Sequence, residues 1–195
     1  MKIKEYVLRV IGRLLRRIEF AIGRTCLIHL KHCGEGIVLG RGVQIEHPEF
    51  VSLGDRVHLN DYCWLSVVDR NDHSGQPELS IGSGTYIGRF ATLACVNRLI
   101  IGSNILISDR VFIGDAVHGF LQINVPIKDQ PLTSPGPVTI GDGTWIGIGV
   151  SILPNVVIGR NCVIGANSVV TRNVPDFCIA AGNPAKVIRC VPESS

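Results

Sequence analysis

The sequence predicts an all-β solenoid, a β-helix of short parallel strands, mainly from one repeat. From Ile140 onward an aliphatic residue stands at every sixth position, and most of these residues are followed by a small or turn-tolerant one. A period of six matches neither a helix, at about 3.6, nor one face of a strand, at about two. It is typical of a chain that turns a corner every six residues and points a side chain inward each time. The longest series is Ile140, Ile146, Ile152, Ile158, Ile164 and Val170.

Composition and charge agree with a well-buried repeat fold and argue against nucleic-acid binding. Hydrophobic residues make up 46% of the chain and charged residues 18%, which disfavours disorder, and 22 glycines suit many tight corners. Seven basic and two acidic residues give residues 1–24 a charge of +5, so the rest carries −2 of the total +3. Because residues 25–195 have no basic stripe with interleaved aromatic residues, no nucleic-acid partner is expected.

The cysteines predict a reducing compartment. There are seven of them, and no two have the CxxC spacing of a redox or metal motif, so free thiols are expected. The sequence has no signal-peptide pattern and no stretch of about 18 uncharged apolar residues. The expected location is therefore the cytoplasm.

Residues 1–36 are predicted to form an N-terminal amphipathic helix and cap. Over residues 1–24, apolar residues at spacings of three and four alternate with basic residues. Such a helix can shield the open end of the first coil, as solenoids require. It can also lie on an anionic membrane surface, which would hold the protein peripherally at the inner face of the membrane. The two roles are compatible.

Residues 37–172 are predicted to form the β-helix, and residues 173–195 a short C-terminal tail. Three hexads close a triangular coil of about 18 residues, so about five to six coils are expected. The largest interruption, at about residues 114–139, contains four prolines. A long, stiff loop that leaves a rigid scaffold is usually functional, so the active site is expected there. The inward series before this loop is Leu39, Ile45, Leu53, Leu59, Leu65, Ile81, Ile87, Leu93, Ile101, Ile107 and Ile113.

The hexads and the residues that follow them resemble the hexapeptide-repeat acyltransferases. The likeness lies in residues 145–147, 164–172 and the tail motif Gly-Asn-Pro-Ala-Lys-Val-Ile-Arg at 182–189, and it covers about residues 37–190. The nearest groups by pattern are galactoside and maltose acetyltransferases and the O-acetyltransferases of bacterial polysaccharides. The resemblance implies a left-handed parallel β-helix, a homotrimer with active sites between subunits, and acetyl-CoA as the acyl donor.

His118 is the candidate catalytic residue, because the family places a catalytic histidine where the large loop leaves the body. A sugar hydroxyl is a poor nucleophile, and a neutral imidazole can accept its proton during attack on a thioester. Asp115, and Asp109 one hexad earlier, are candidates to orient the imidazole. The alternatives are a loop histidine with only a local hydrogen bond and a solvated corner aspartate.

The resemblance also implies a coenzyme site beside the strict repeat. The pantetheine arm would meet backbone groups and an apolar wall, and the phosphates would meet cations, which bind them directly. Ordinary surface charges and a packing role for the tryptophan are the alternatives. The candidates near pantetheine are Trp145, Gly147, Ile148 and Ala166, and those near the adenine and phosphates are Thr171, Arg172, Lys186 and Arg189.

The sequence therefore predicts an acetyl-CoA-dependent O-acetyltransferase. Its acceptor is expected to be a sugar hydroxyl in a surface polysaccharide, a lipid-linked glycan or a sugar nucleotide. The alternatives are N-acetylation of an amino sugar and a non-catalytic β-helix that scaffolds partners. No metal is expected, because the six histidines and seven cysteines form no recognisable ligand pattern.

Overall fold

Three parallel β-sheets surround one hydrophobic core, which confirms the predicted β-helix. The computed structural model describes residues 27–69 and 76–191. The first strand of each coil belongs to sheet A, the second to sheet B and the third to sheet C. Each strand pairs with the strands of the same sheet in the preceding and following coils. Sheets A and C contain six strands each and sheet B contains eight. The predicted N-terminal helix over residues 1–24 lies outside the described residues.

The strands are short and follow one another in coil order. Coil 1 contains β1 (His32–Cys33), β2 (Val38–Leu39) and β3 (Gln44–Ile45), followed by the 3-10 helix η1 (Pro48–Phe50). Coil 2 contains β4 (Val51–Leu53), β5 (His58–Leu59) and β6 (Trp64–Val67); coil 3 contains β7 (Glu78–Ile81), β8 (Tyr86–Ile87) and β9 (Thr92–Cys95). Coil 4 contains β10 (Arg98–Ile101), β11 (Leu106–Ile107) and β12 (Phe112–Gly114).

The large loop then interrupts the coils before they resume. It contains β13 (Val117–His118), the 3-10 helix η2 (Ile127–Asp129) and β14 (Leu132–Thr133). Coil 5 contains β15 (Val138–Ile140), β16 (Trp145–Ile146) and β17 (Ser151–Ile152); coil 6 contains β18 (Val157–Ile158), β19 (Val163–Ile164) and β20 (Val169–Val170). The chain ends in β21 (Cys178–Gly182) and β22 (Ala185–Cys190). Among the described residues, none of the helices is long and apolar enough to cross a membrane.

The core consists of two inward positions in each hexad, of which the sequence series identified one. Every predicted inward residue from Leu53 to Val170 is buried, while Leu39 and Ile45, in the first coil, are only partly buried. The second inward position lies two residues earlier, at Val111 for example. Burial of these side chains supplies the main stabilisation, at about 25 cal/mol for each Å² of apolar surface removed from water.

Some of the second inward positions carry small polar side chains whose hydroxyls are satisfied by the neighbouring coil. The Thr144 hydroxyl donates to the carbonyl oxygen of Gly159 at 2.9 Å and accepts the backbone N–H of Cys162 at 3.0 Å. Thr85 bridges two coils in the same way, through Gly102 and Ile105. A buried hydroxyl costs little when it is hydrogen-bonded, so these positions tolerate threonine.

Three columns of turns, called corner 1, corner 2 and corner 3, connect the sheets. Corner 1 joins sheet A to sheet B, at residues 34–37, 54–57, 82–85, 102–105, 141–144 and 159–162. Corner 2 joins sheet B to sheet C, at residues 40–43, 60–63, 88–91, 108–111, 147–150 and 165–168. Corner 3 joins sheet C back to sheet A and includes residues 96–97, 115–137, 153–156 and 171–173.

The solenoid extends beyond both of its expected ends. Strand β1 already pairs with β4, so the first coil begins at His32 rather than near Leu39. At the other end, Val174 is buried and bridges to Ile158, so the last coil continues past residue 172. The tail then adds β21 to sheet B in parallel and β22 in antiparallel fashion.

The hairpin of β21 and β22 contradicts the expectation that all cysteines are free. Cys178 and Cys190 lie opposite each other across this ladder and form a disulfide. Their separation of 12 residues is no recognised motif, and only the antiparallel pairing brings them together. Cys33, Cys63, Cys95 and Cys162 are free.

The free thiols should differ sharply in reactivity. Cys33 is exposed, whereas burial raises the pKa of Cys63 to about 11 and that of Cys95 to about 12, from an ordinary 9.0. Since the thiolate is the nucleophile, its fraction near pH 8 falls about 100-fold at Cys63 and about 1,000-fold at Cys95. We expect iodoacetamide to label Cys33 in the native protein and to leave Cys63 and Cys95 unmodified, as read by peptide mass spectrometry.

The same reaction in guanidinium chloride provides the control, because unfolding removes the burial and should make Cys63 and Cys95 as reactive as Cys33. Native labelling of either buried thiol at the rate of Cys33 would contradict the packed core described above.

Candidate functional site

The large loop leaves the body at the end of β12 and starts with a buried residue. The Phe112 ring lies over Gly114 on the outer face of sheet C, and a Cβ added to Gly114 would lie 2.8 Å from its Cζ. Asp115 follows and is fully buried. The chain then turns outward into β13, which carries His118. The loop therefore has a fixed base on corner 3.

His118 is held by backbone pairing and presents an exposed side chain. It lies opposite Leu132 in the antiparallel pair of β13 and β14, and the next residue, Gly119, donates its N–H to the carbonyl oxygen of Pro131 at 2.9 Å. Within residues 27–69 and 76–191, the imidazole has no hydrogen-bond or ion-pair partner. Its ring nitrogens are thus open to a substrate.

The Asp115 carboxylate faces the preceding coil of corner 3. Its Oδ1 accepts the backbone N–H of Val96 at 2.8 Å, and its Oδ2 accepts those of Asn97 at 3.0 Å and Arg98 at 2.6 Å. Three such bonds fix the turn that starts β10 and the point where the large loop departs. The structure joins Asp115 to this turn, and it contains no bond between Asp115 and His118 among the described residues.

Asp109, the second candidate to orient the imidazole, lies on corner 2. Its carboxylate accepts hydrogen bonds from the Arg89 guanidinium at 2.6 and 3.0 Å and from the Arg89 backbone N–H at 2.8 Å. These bonds, the side-chain ones first, hold the pKa of Asp109 below its usual range. Asp109 therefore ties two coils together, away from the loop that carries His118.

Three of the coenzyme candidates share the outer face of sheet B. The register places Trp145, Val163, Ile179 and Arg189 in one column along successive strands. Trp145 is 49% exposed, and its indole N–H donates to Ser108 Oγ at 3.2 Å. A register shift between Ile179 and Ala180 pairs Lys186 with Ala181, so Lys186 and Arg189 point to the same side. Trp145 therefore does not pack into the core, which was the alternative to a coenzyme contact.

Corner 2 adds two open backbone donors beside that face. In coils 1 and 3, the corner N–H groups of Arg41 and Arg89 each donate to an aspartate in the next coil of the chain. Ile148 occupies the equivalent position, but the residue one coil above it is Ala166, whose methyl group accepts no hydrogen bond. Within the described part of the chain, the N–H groups of Ile148 and Ala166 have no acceptor.

Gly147 supports this arrangement without facing solvent. It is buried, and a Cβ at this position would approach the backbone N of Ala166 to 2.7 Å. The close approach of the next coil therefore requires glycine, and a direct contact of Gly147 with a coenzyme is not what its burial favours.

Thr171 and Arg172 are exposed but lie on corner 3, apart from the other coenzyme candidates. Corners 2 and 3 bound opposite edges of sheet C, whose width is roughly 15 Å at a rise of about 3.3 Å per residue. In one chain, the open donors of Ile148 and Ala166 and the loop base of His118 are therefore on different corners.

One organising residue of the loop was missed by sequence reasoning. Gln130 is buried, at 6% exposure, and its side chain makes three hydrogen bonds within the loop. A glutamine between two turns gives no periodic signal, so its role is visible only in the folded loop. Among the described residues, no three histidine, cysteine or acidic side chains are grouped as metal ligands.

Comparisons with known proteins identify the family. Residues 137–172 match the model described as bacterial transferase hexapeptide (six repeats). The chain is 32% identical to WbbJ of Escherichia coli, named as a candidate O-acetyl transferase of lipopolysaccharide biosynthesis, over 74% of this chain and 77% of WbbJ. It is 38% identical to the probable acetyltransferase Rv3034c of Mycobacterium tuberculosis, over 78% of this chain and 49% of that protein. The chain thus spans about half the length of this relative.

A solved structure agrees with the fold. AntD of Bacillus cereus, an N-acyltransferase crystallised with dTDP and 3-hydroxybutyryl-CoA, superposes with a TM-score of 0.70 at 25% identity, over 84% of each chain. The chain belongs to the hexapeptide-repeat transferase family.

Removal of the Asp115 carboxylate should destabilise the protein. Asp115→Ala leaves the buried N–H of Val96 and the partly buried N–H groups of Asn97 and Arg98 without acceptors. Charge-assisted bonds are worth about 1.5–3 kcal/mol each, so we expect a loss of about 3 kcal/mol or more. Asp115→Asn retains one acceptor oxygen and should lie in between. Guanidinium denaturation measures the free energy of unfolding.

Asp142→Ala is the matched control, because Asp142 also caps a backbone N–H, that of Ser103 at 2.8 Å, but on exposed corner 1. It should cost about 1 kcal/mol or less. Equal losses for the alanine variants of Asp115 and Asp142 would contradict the threefold cap.

Proposed function

We propose that this protein transfers an acetyl group from acetyl-CoA to a sugar hydroxyl, with His118 as the general base. The observation that carries the proposal is the position of His118 in a transferase-family chain: exposed, without a partner among the described residues and held on a hairpin at the base of the large loop. The named activities of the relatives support the same class of reaction.

In the proposed reaction, one His118 ring nitrogen accepts the proton of the acceptor hydroxyl. The hydroxyl oxygen forms a bond to the acyl carbon, the carbon–sulfur bond of the thioester breaks, and the leaving thiolate takes up a proton. Such a positioned base typically contributes about 10²–10⁴-fold to the rate.

The coenzyme would lie on the outer face of sheet B and corner 2. The unused N–H groups of Ile148 and Ala166 are suited to amide carbonyls of the pantetheine arm, and Trp145 offers an apolar wall beside them. Lys186 and Arg189 supply positive charge for the phosphates. Thr171 and Arg172 would approach the adenine end from the corner 3 of a neighbouring copy.

The separation of corners 2 and 3 supports active sites formed between copies of the chain. If corner 3 of one copy faces corner 2 of the next, His118 comes close to the open donors of Ile148 and Ala166. In a closed ring, each copy contributes corner 3 to one site and corner 2 to the next, so every site is complete. The family resemblance implies that this ring is a homotrimer.

A specific observation favours a second candidate, N-acetylation of an amino sugar, because the similar structure AntD is described as an N-acyltransferase. The two outcomes differ in the product. Hydroxylamine cleaves an O-acetyl ester but leaves an N-acetyl amide intact, so mass spectrometry of the treated product separates them.

Calorimetric titration with acetyl-CoA tests the coenzyme site. Ala166→Asp places a carboxylate at the position that Asp61 and Asp109 occupy in coils 2 and 4. The new carboxylate should cap the Ile148 N–H and preserve the fold, but it should weaken acetyl-CoA binding at least about tenfold. The double variant Lys186→Ala/Arg189→Ala should also weaken binding, because it removes positive charge from the phosphate site.

His118→Ala should bind acetyl-CoA normally, but it should transfer the acetyl group at least about 100-fold more slowly.

A folded wild-type chain that does not bind acetyl-CoA would reject the transferase proposal and favour the non-catalytic scaffold. Binding that is unaffected by Ala166→Asp would reject corner 2 as the pantetheine site.

A further inference from the structure

The side chain of Gln130 joins two sides of the large loop. Its Oε1 accepts the N–H of Gln122 at 3.2 Å, and its Nε2 donates to the carbonyl oxygens of Gln122 at 3.1 Å and Val125 at 2.8 Å. One amide thus satisfies three backbone groups of the turn on the opposite side of the loop. Leaving these groups unpaired in a partly buried place would be costly, so the turn and Gln130 fix each other.

Apolar packing cannot substitute for these bonds, because the large apolar side chains of the loop point outward. Phe120 is 69% exposed, Leu121 82% and Ile123 96%. The shape of this segment therefore depends on hydrogen bonds rather than on a hydrophobic core of its own.

Gln130 is also in direct contact with the strand pair that carries His118. It precedes Pro131, whose carbonyl oxygen accepts the N–H of Gly119. A Cβ on Gly119 would lie 3.2 Å from the Gln130 Cβ and 3.4 Å from its Oε1. The backbone next to His118 thus rests against the Gln130 side chain.

We propose that Gln130 is a positioning residue that sets the location of the His118 imidazole for acyl transfer. Gln130 does not touch the reacting atoms; it acts by linking the 122–125 turn to β13 and β14. The proposal rests on the function proposed above for His118. A displacement of about 1 Å in a catalytic group can cost about 100-fold in rate, so a single buried amide is sufficient to control the reaction.

Two variants of similar size separate hydrogen bonding from volume. Gln130→Met keeps the length of the side chain and removes all three bonds. Gln130→Glu keeps the shape but directs a carboxylate at two carbonyl oxygens; protonation restores one donor, so its defect should diminish as the pH falls. Gln122→Met is the matched control, because Gln122 has an exposed side chain and enters the network only through its backbone.

The first readout is amide hydrogen exchange over residues 119–131, measured without substrate. We expect exchange to accelerate about 10- to 100-fold in Gln130→Met at any pH. In Gln130→Glu it should accelerate near pH 8 and return toward wild type near pH 5, after correction for intrinsic rates. Gln122→Met should exchange like wild type.

The second readout is steady-state kinetics. For Gln130→Met, kcat should fall about 100-fold while the KM for acetyl-CoA stays within about twofold, because the coenzyme residues lie on other parts of the solenoid. Thermal unfolding should remain close to that of wild type, since the core does not include the loop.

Unchanged exchange in both Gln130 variants would overturn the role of Gln130 in holding the loop. Accelerated exchange with a wild-type kcat would overturn the positioning role. A wild-type chain without transfer activity would overturn the proposed function and the positioning role with it, whereas the exchange data would still decide whether Gln130 holds the loop.

Discussion

Hydrogen bonds between successive coils are the interaction on which the rest of this structure depends. A two-residue strand such as Ser151–Ile152 has no stability of its own, but Ser151 donates to the Ser168 carbonyl one coil above, and Phe112 donates to the Val150 carbonyl in the same way, both at 2.9 Å. The coils are therefore stacked at about 4.8 Å in a fixed register. A slip of one residue would turn every inward aliphatic side chain toward solvent, so burial and hydrogen bonding specify the same arrangement.

The candidate site occupies the places where this ladder permits variation. The large loop leaves after β12, yet β12 still pairs with β17, so more than twenty residues are accommodated at corner 3 without loss of register. At corner 2, Ala166 stands where other coils have a capping aspartate, so the Ile148 N–H has no acceptor in the described part of the chain while the fold is kept. A rigid stack of coils thus presents the exposed His118 at one corner and the N–H groups of Ile148 and Ala166 at another. Under the proposed function, the distance between them explains why one copy alone would be incomplete.

The sequence was informative where structure is periodic and silent where it is not. The hexad series identified one of the two inward positions in each hexad from Leu53 to Val170, because that inward side chain recurs every six residues. It could not reveal that Asp115 caps Val96, Asn97 and Arg98, since those partners lie one coil away and the bonds form only after stacking. The same limit applies to the disulfide of the terminal hairpin, where the pairing of two strands creates a contact that no spacing indicates.

The site residues divide in a similar way. The position of His118 at the loop and the outward face of Trp145 agree with the family resemblance, whereas Gly147 is explained by the close approach of the next coil. The common face of Lys186 and Arg189 depends on a register shift in β21 and β22, and the role of Gln130 depends on a folded loop. Local irregularities of this kind leave no periodic trace.

Complementation between two impaired chains, assayed at acetyl-CoA well below its Kd, tests most directly whether the active site is shared between copies. His118→Ala and Ala166→Asp chains, each slow alone under this condition, would be unfolded together and refolded as mixed oligomers with different tags. Sites that take His118 from one copy and corner 2 from its neighbour should regain about one quarter of the wild-type rate, because random mixing leaves that share of interfaces intact. A rate no higher than that of the separate variants would contradict shared sites and place the whole reaction within one chain.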